Sequence, residues 1–117
     1  MKAEAFHQLL SDPIRLRALM LLATHRSLCV CEIQEAIDVA QPKISRHLRR
    51  LREGGVIVGE RKAQWVHYRL ADELPEWCQA VIDHTHQAVK GDPAFVEDEQ
   101  RLKAMGGRPA PMCGSGS

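Results

Sequence analysis

Aromatic residues are scarce, with two Trp, two Phe and one Tyr in 117 residues. Any core must therefore be assembled from Leu, Ile, Val and Ala. Long apolar runs are also missing. The longest, Ala18 to Ala23, has six residues, where a membrane span needs about 20. The opening stretch MKAEAFHQLLSDP sets Glu4 and Asp12 around a broken apolar segment, which is not the pattern of a secretory leader. Six Pro and eight Gly are too few for a fibrous or wholly disordered chain. The four cysteines do not suit a disulfide scaffold. Without a secretion signal they indicate a reducing, cytoplasmic setting, where thiols serve metals or redox chemistry. Cys29 and Cys31, only two apart, are badly placed for an unstrained disulfide. These absences exclude membrane, collagen-like and disulfide-stapled classes and leave one globular domain. A chain of this size buries only about two-thirds of its surface, so pairing with a second chain would help it.

The formal charge of +1 conceals an uneven distribution. Residues 1–40 carry four basic and five acidic side chains, a net of −1. Residues 41–69 carry eight basic (Lys43, Arg46, Arg49, Arg50, Arg52, Arg61, Lys62, Arg69) against Glu53 and Glu60, a net of +6. Residues 70–117 carry four basic and eight acidic, a net of −4. A strongly basic middle third is the footprint of a polyanionic partner.

The periodicity predicts helices, then one hairpin, then further helix. Ala3, Phe6, Leu9 and Leu10 lie at helical spacing over 3–10. Ser11-Asp12-Pro13 ends that helix and opens the next, 13–25, because Asp caps and Pro at the first helical position are both favoured. This second helix is apolar nearly all round and belongs at the centre. A third, short helix spans about 31–37, with Ile33 and Ile37 on one face. A turn over 38–41 leads to a fourth helix, 42–53, striped by Ile44, Leu48 and Leu51 and stopped by Gly54-Gly55. Val56–Val58 and Gln64–Leu70 then form an extended hairpin around 59–63, with Val66, Tyr68 and Leu70 on one side of the return strand and Trp65, His67 and Arg69 on the other. A fifth helix covers 74–90, with Leu74, Trp77, Val81 and Ile82 apolar. The domain is expected to occupy 1–91. Residues 92–117 follow as an acidic segment, helical over 94–104, and a disordered tail from Gly106.

A short helix, a turn, a basic helix and a hairpin describe a winged helix-turn-helix: mainly α, five or six helices, with a small β-hairpin wing. Ile44, Leu48 and Leu51 anchor the fourth helix and leave Lys43, Ser45, Arg46, His47, Arg49 and Arg50 on its exposed arc. Such a helix fits the major groove of double-stranded DNA and enters N-terminus first. Gln41, Lys43, Ser45, Arg46 and His47 lie at that end, while Arg49, Arg50 and Arg52 are placed to neutralise phosphates. Arg61 and Lys62 at the hairpin tip, followed by Gln64, suit a wing reaching the backbone or minor groove. A basic helix alone is usually a solvated face. A basic hairpin tip directly after it makes that bland reading much weaker. RNA recognition is disfavoured, because the strands lack interleaved aromatics for stacking bases.

Cys-x-Cys at 29–31 is the other singular feature. Residues two apart in a helix point about 200° away from each other, so both thiols converge only where Cys29 is still extended and Cys31 has entered the helix. The helix N-terminus also favours a thiolate there. A soft ion on the pair would distort the first helix of the DNA-binding motif.

The segments Leu28-Cys29-Val30-Cys31-Glu32-Ile33, Gln41-Pro42-Lys43-Ile44-Ser45-Arg46-His47-Leu48 and Gln64-Trp65-Val66-His67-Tyr68-Arg69-Leu70 resemble the ArsR/SmtB family, and within it the arsenic-responsive repressors. The resemblance runs from about residue 7 to residue 85. It implies a homodimeric repressor that releases operator DNA when As(III), Sb(III) or a related trivalent organoarsenical binds Cys29 and Cys31. No catalytic cofactor is implied. It also implies a dimer interface built by the first and fifth helices. The family's arsenical pattern is Cys-x-Cys-x-x-Cys, and here the third position is Gln34. A third sulfur would have to come from Cys78 or Cys113; alternatively two thiols suffice, as they do for an organoarsenical that already carries a carbon ligand.

Other effectors stay open. Cadmium-responsive relatives add cysteines near the N-terminus, and none precedes Cys29. Zinc-responsive relatives use carboxylates and histidines on the fifth helix, for which Asp83, His84 and His86 with a partner's Glu97 or Glu99 are the candidates, at spacing that departs from the pattern. A thiol-redox switch at Cys29 and Cys31 is a further alternative. An enzyme is disfavoured, since the sequence has no Gly-rich phosphate loop and no nucleophile-histidine constellation.

Overall fold

The computed structural model describes residues 1–105 of the 117. In chain order the elements are α1 (Ala3–Leu10), α2 (Pro13–Thr24), β1 (Leu28–Cys29), α3 (Val30–Ile37), α4 (Gln41–Glu53), β2 (Ile57–Lys62), β3 (Trp65–Leu70), α5 (Glu76–Val89) and α6 (Pro93–Ala104). The six helices were anticipated to within two residues at each end, because their boundaries are written locally. Asp12 caps α2 through its carboxylate, which accepts from the N–H groups of Ile14 (2.8 Å) and Arg15 (3.0 Å). Pro42 and Pro93 sit in the first turns of α4 and α6. Gly55 takes φ +80° after α4, a backbone that a side chain would strain.

Helix α2 is the centre of the molecule. Ala18, Leu19, Met20, Leu21 and Leu22 are all buried, and the helix packs against α1, α3, α4, α5, α6 and β3. The core around it is aliphatic, with Phe6 its one fully buried aromatic ring among the described residues.

The sheet departs from the expected hairpin in two ways. The strands are longer: β2 continues through Gly59 to Lys62, so the turn is only Ala63-Gln64, with Ala63 at φ 57°. A third strand was not foreseen. β1 pairs antiparallel with β3, Leu28 opposite Tyr68 and Cys29 opposite His67, giving the order β1-β3-β2. Two residues carry no readable period, and this strand exists only because β3 arrives beside it. Within β3, Val66 and Tyr68 line the face above Gly59, where a Cβ would stand 3.3 and 3.1 Å from them, in line with the expected alternation.

Helix α6 is docked against α3, with Leu102 fully buried. The expected tail and Cys113 lie outside the described residues.

Candidate functional site

Cys29 is both the last residue of β1 and the N-cap of α3, with φ −84° and ψ 165°. Cys31 is the second residue of that helix. The change from extended to helical backbone between them brings the two sulfurs to 2.6 Å, the convergence expected from their spacing. Cys29 is 1% exposed, and Cys31 is half-buried. The carboxylate of Glu32 reaches back to accept from the N–H of Cys29 at 2.8 Å, the acidic half of a capping box. Glu32 is fully buried, and its second oxygen, Oε2, has no hydrogen-bond partner among the described residues. An unpaired buried acceptor costs about 1–3 kcal/mol, so this corner of the molecule is polar at some expense. Glu32 went unread in the sequence, although a Glu three residues after an N-cap is a legible signal.

Several other candidate donors are engaged elsewhere, while His84 and Glu97 are exposed. Cys78 on α5 is fully buried in the aliphatic core, and burial pushes its thiol pKa up. Gln34 is half-buried on α3. Asp83 accepts from Gln79, His86 bonds to Thr24 at 2.9 Å, and Glu99 pairs with His25 at 2.8 Å. Among the described residues of one chain, no three His, Cys, Asp or Glu side chains stand as a ready-made metal cluster.

Helix α4 presents the basic surface. Ile44, Leu48 and Leu51 are fully buried, and Gln41, Lys43, Ser45, Arg46, Arg49, Arg50 and Arg52 are exposed. Arg61, Lys62 and Gln64 are exposed around the hairpin tip. Among the described residues, none of these cations pairs with a carboxylate, whereas Arg17, Arg69 and Arg101 all do. Glu53 stands at i+4 from Arg49 and i+3 from Arg50, the one acid against five cations on α4, so the surface carries a net positive field.

His47 is a correction to that list. It was expected on the exposed arc, yet it is 9% exposed. The stripe Ile44, His47, Leu48, Leu51 has the i, i+3, i+4, i+7 spacing of a buried face, and His47 lies within it. Its Nδ1 stands 3.3 Å from Nη1 of Arg15, and its Nε2 is 3.8 Å from the Asp12 carboxylate. Arg15, also buried, donates from Nε to the carbonyl of Leu9 (2.8 Å) and from Nη2 to that of Gln8 (3.2 Å). Burial holds the His47 pKa below its ordinary value. Asp12 opposes the shift, and the charges of Arg15, Arg46 and Lys43 add to it. Arg15 had no place in the sequence reading, because a single Arg in an apolar helix carries no signal of its partner 32 residues away.

Residues 12–58 match the family described as bacterial regulatory protein, arsR family. The chain is 46% identical over 100 residues to the arsenic resistance transcriptional regulator ArsR2 of Pseudomonas putida, covering 86% of this chain and 85% of that one. It is 45% identical over 76 residues to the arsenical resistance operon repressor of Escherichia coli, covering 65% of each chain. Among solved structures, HlyU from Vibrio cholerae superimposes with a TM-score of 0.66 at 27% identity, over 74% of this chain and 89% of that one.

Proposed function

The chain belongs to the arsR family of bacterial regulatory proteins, and on that footing we propose that it is a cytoplasmic, homodimeric repressor that releases operator DNA when a trivalent arsenical or antimonial binds Cys29 and Cys31. The observation that carries the effector half is the convergence of the two sulfurs to 2.6 Å at the N-cap of α3. An ion held by both sulfurs would bear on the backbone that carries Cys29. Cys29 cannot move alone, since it is hydrogen-bonded into α3 through Glu32 and paired with His67 at the root of the wing. One displacement thus disturbs both elements that flank α4.

DNA is engaged by α4, which enters the major groove N-terminus first. Gln41, Lys43, Ser45 and Arg46 face base edges or phosphates there, Arg49 and Arg50 neutralise phosphates, and Arg61, Lys62 and Gln64 extend the contact from the wing. His47 is not among these contacts. The dimer forms through α1 and α5, where Trp77 is 38% exposed and stacks on His7 at 6.2 Å. The coupling between the thiols and DNA is expected at about 1–3 kcal/mol, a 5–150-fold change in affinity.

The test is fluorescence anisotropy of the reduced protein on DNA from upstream of its own gene, with arsenite, phenylarsine oxide, zinc and cadmium titrated separately. Release by arsenite or the organoarsenical supports the reading, and release by zinc or cadmium alone overturns the effector assignment. The sulfur contact favours one second reading, a thiol-redox response. There, a peroxide takes two electrons from the pair to give one disulfide and water, and DNA release would follow peroxide without any metalloid.

A further inference from the structure

The buried network Asp12–Arg15–His47 belongs to neither the thiol site nor the exposed basic surface, and it joins two parts of the molecule with separate duties. Arg15 sits on α2 and grips the last carbonyls of α1, those of Gln8 and Leu9. Its remaining nitrogen, Nη1, reaches His47 on α4. A guanidinium can only donate, so Nδ1 of His47 must accept, and the imidazole is neutral with its proton on Nε2. That proton faces the Asp12 carboxylate at 3.8 Å, and Asp12 is itself held by the first N–H groups of α2. One ring therefore fastens α4 to the α1–α2 corner. The arrangement admits only one protonation state.

We infer that His47 is a positioning residue for DNA reading: its neutral ring accepts from Arg15 and locks α4 against the α1–α2 corner, and protonating the ring releases that lock and weakens operator binding. This rests on the proposed role of α4 in DNA reading. The groups facing the ring are Asp12 and Arg15 from the α2 side and Lys43 and Arg46 from its own helix. A proton on Nδ1 would displace the Arg15 hydrogen bond and set a fourth cation among three, against one carboxylate. A direct DNA contact by His47 predicts the opposite sign, because an extra positive charge on the reading surface strengthens phosphate binding in acid.

The experiment measures operator affinity from pH 7.5 to 5.5, at fixed salt, for the wild-type chain, His47→Asn and His47→Leu. Asn places an amide oxygen where Nδ1 stands and does not titrate, whereas Leu fills the volume and leaves Arg15 unpaired. The expected result is that His47→Asn recovers most of the affinity that His47→Leu loses at pH 7.5. The wild-type chain should also weaken relative to His47→Asn by about fivefold or more on acidification. Parallel wild-type and Asn profiles overturn the inference, as does a wild-type chain that tightens in acid relative to Asn. Histidine nitrogen NMR of the wild-type chain supplies a test that needs no variant. Nδ1 of His47 should be unprotonated at neutral pH and titrate below 6.5; a protonated Nδ1 or a higher midpoint overturns the inference. Failure of the underlying reading looks different, since Lys43→Ala and Arg46→Ala would then leave operator affinity unchanged at every pH.

Discussion

Replacing Asp98 by Ala should destabilise the whole domain, although the residue lies on the last helix, outside the part of the chain expected to form the domain. Asp98 is 1% exposed. Its carboxylate accepts from Nε of Arg17 at 2.8 Å, from Nη2 of Arg17 at 2.6 Å and from Nη2 of Arg101 at 3.0 Å. Each arginine also holds a carbonyl in the last turn of α3, Arg17 that of Ile37 (3.0 Å) and Arg101 that of Ala36 (2.7 Å). The node thus fastens α2, α3 and α6 together. Breaking a fully buried ion pair by removing one partner costs about 3–5 kcal/mol. Here the guanidinium side chains are 21% and 36% exposed, so water compensates part of the loss and about 2–3 kcal/mol is expected. For a domain of this size that is a fall in Tm of roughly 8–15 °C. Urea unfolding followed by circular dichroism, at one fixed protomer concentration because a dimer's stability depends on it, measures the change. Asp98→Asn keeps the shape and one acceptor and should lose about half as much. A loss below about 0.5 kcal/mol for Asp98→Ala, the range of an ordinary surface substitution, would refute the node as a structural anchor.

Four further outcomes are expected. Replacing both Cys29 and Cys31 by Ser should preserve operator binding and abolish release by arsenite in the anisotropy assay; release that persists places the effector elsewhere. Arg49→Ala and Arg50→Ala should each reduce the slope of log affinity against log salt by about one, the mark of a lost phosphate contact, and an unchanged slope removes that residue from the interface. A Cβ at Gly54 would stand 2.5 Å from Cδ1 of Leu9, so Gly54→Ala should cost about 1–3 kcal/mol by overpacking. Adding Leu9→Ala should recover part of that cost in a double-mutant cycle. Finally, His47 has a folded pKa below its ordinary 6.5, so the native chain binds fewer protons than the unfolded one in mild acid. Its contribution is intact above 6.5 and is lost as pH falls from there through the folded value. Asp12, lowered from 3.8 despite burial by the N–H groups of Arg15 and Ile14 and the nearby positive charges, loses its contribution only below 3.8. Urea midpoints should therefore drop between pH 7 and 5.5 in the wild-type chain and less so in His47→Asn.

Much of the site is legible in the sequence alone. The basic third of the chain, the apolar stripe of α4 and the Cys-x-Cys spacing are local properties, and each appears in the fold where its periodicity predicts. The misreadings have separate causes. His47 was assigned to the surface because a histidine is polar, Arg15 was passed over because an isolated charge does not reveal its partner, and the cap by Glu32 was a local signal left unread. β1 was missed because two residues are too few to show an alternation.

What the sequence determined by itself is the helices and the hairpin, most of their caps and the apolar stripes the helices bury. Those depend on interactions within about four residues, which the order of side chains states directly. The Asp12 cap, Pro42 and Gly55 are examples. What only the tertiary structure decided is the fate of the polar groups inside. His47 meets Arg15 across 32 residues, Asp98 meets Arg17 across 81, and Cys29 enters a sheet only through pairing with His67. Burying such a group is unfavourable alone and tolerable only with its partner in place, so its position follows from packing that no local pattern encodes.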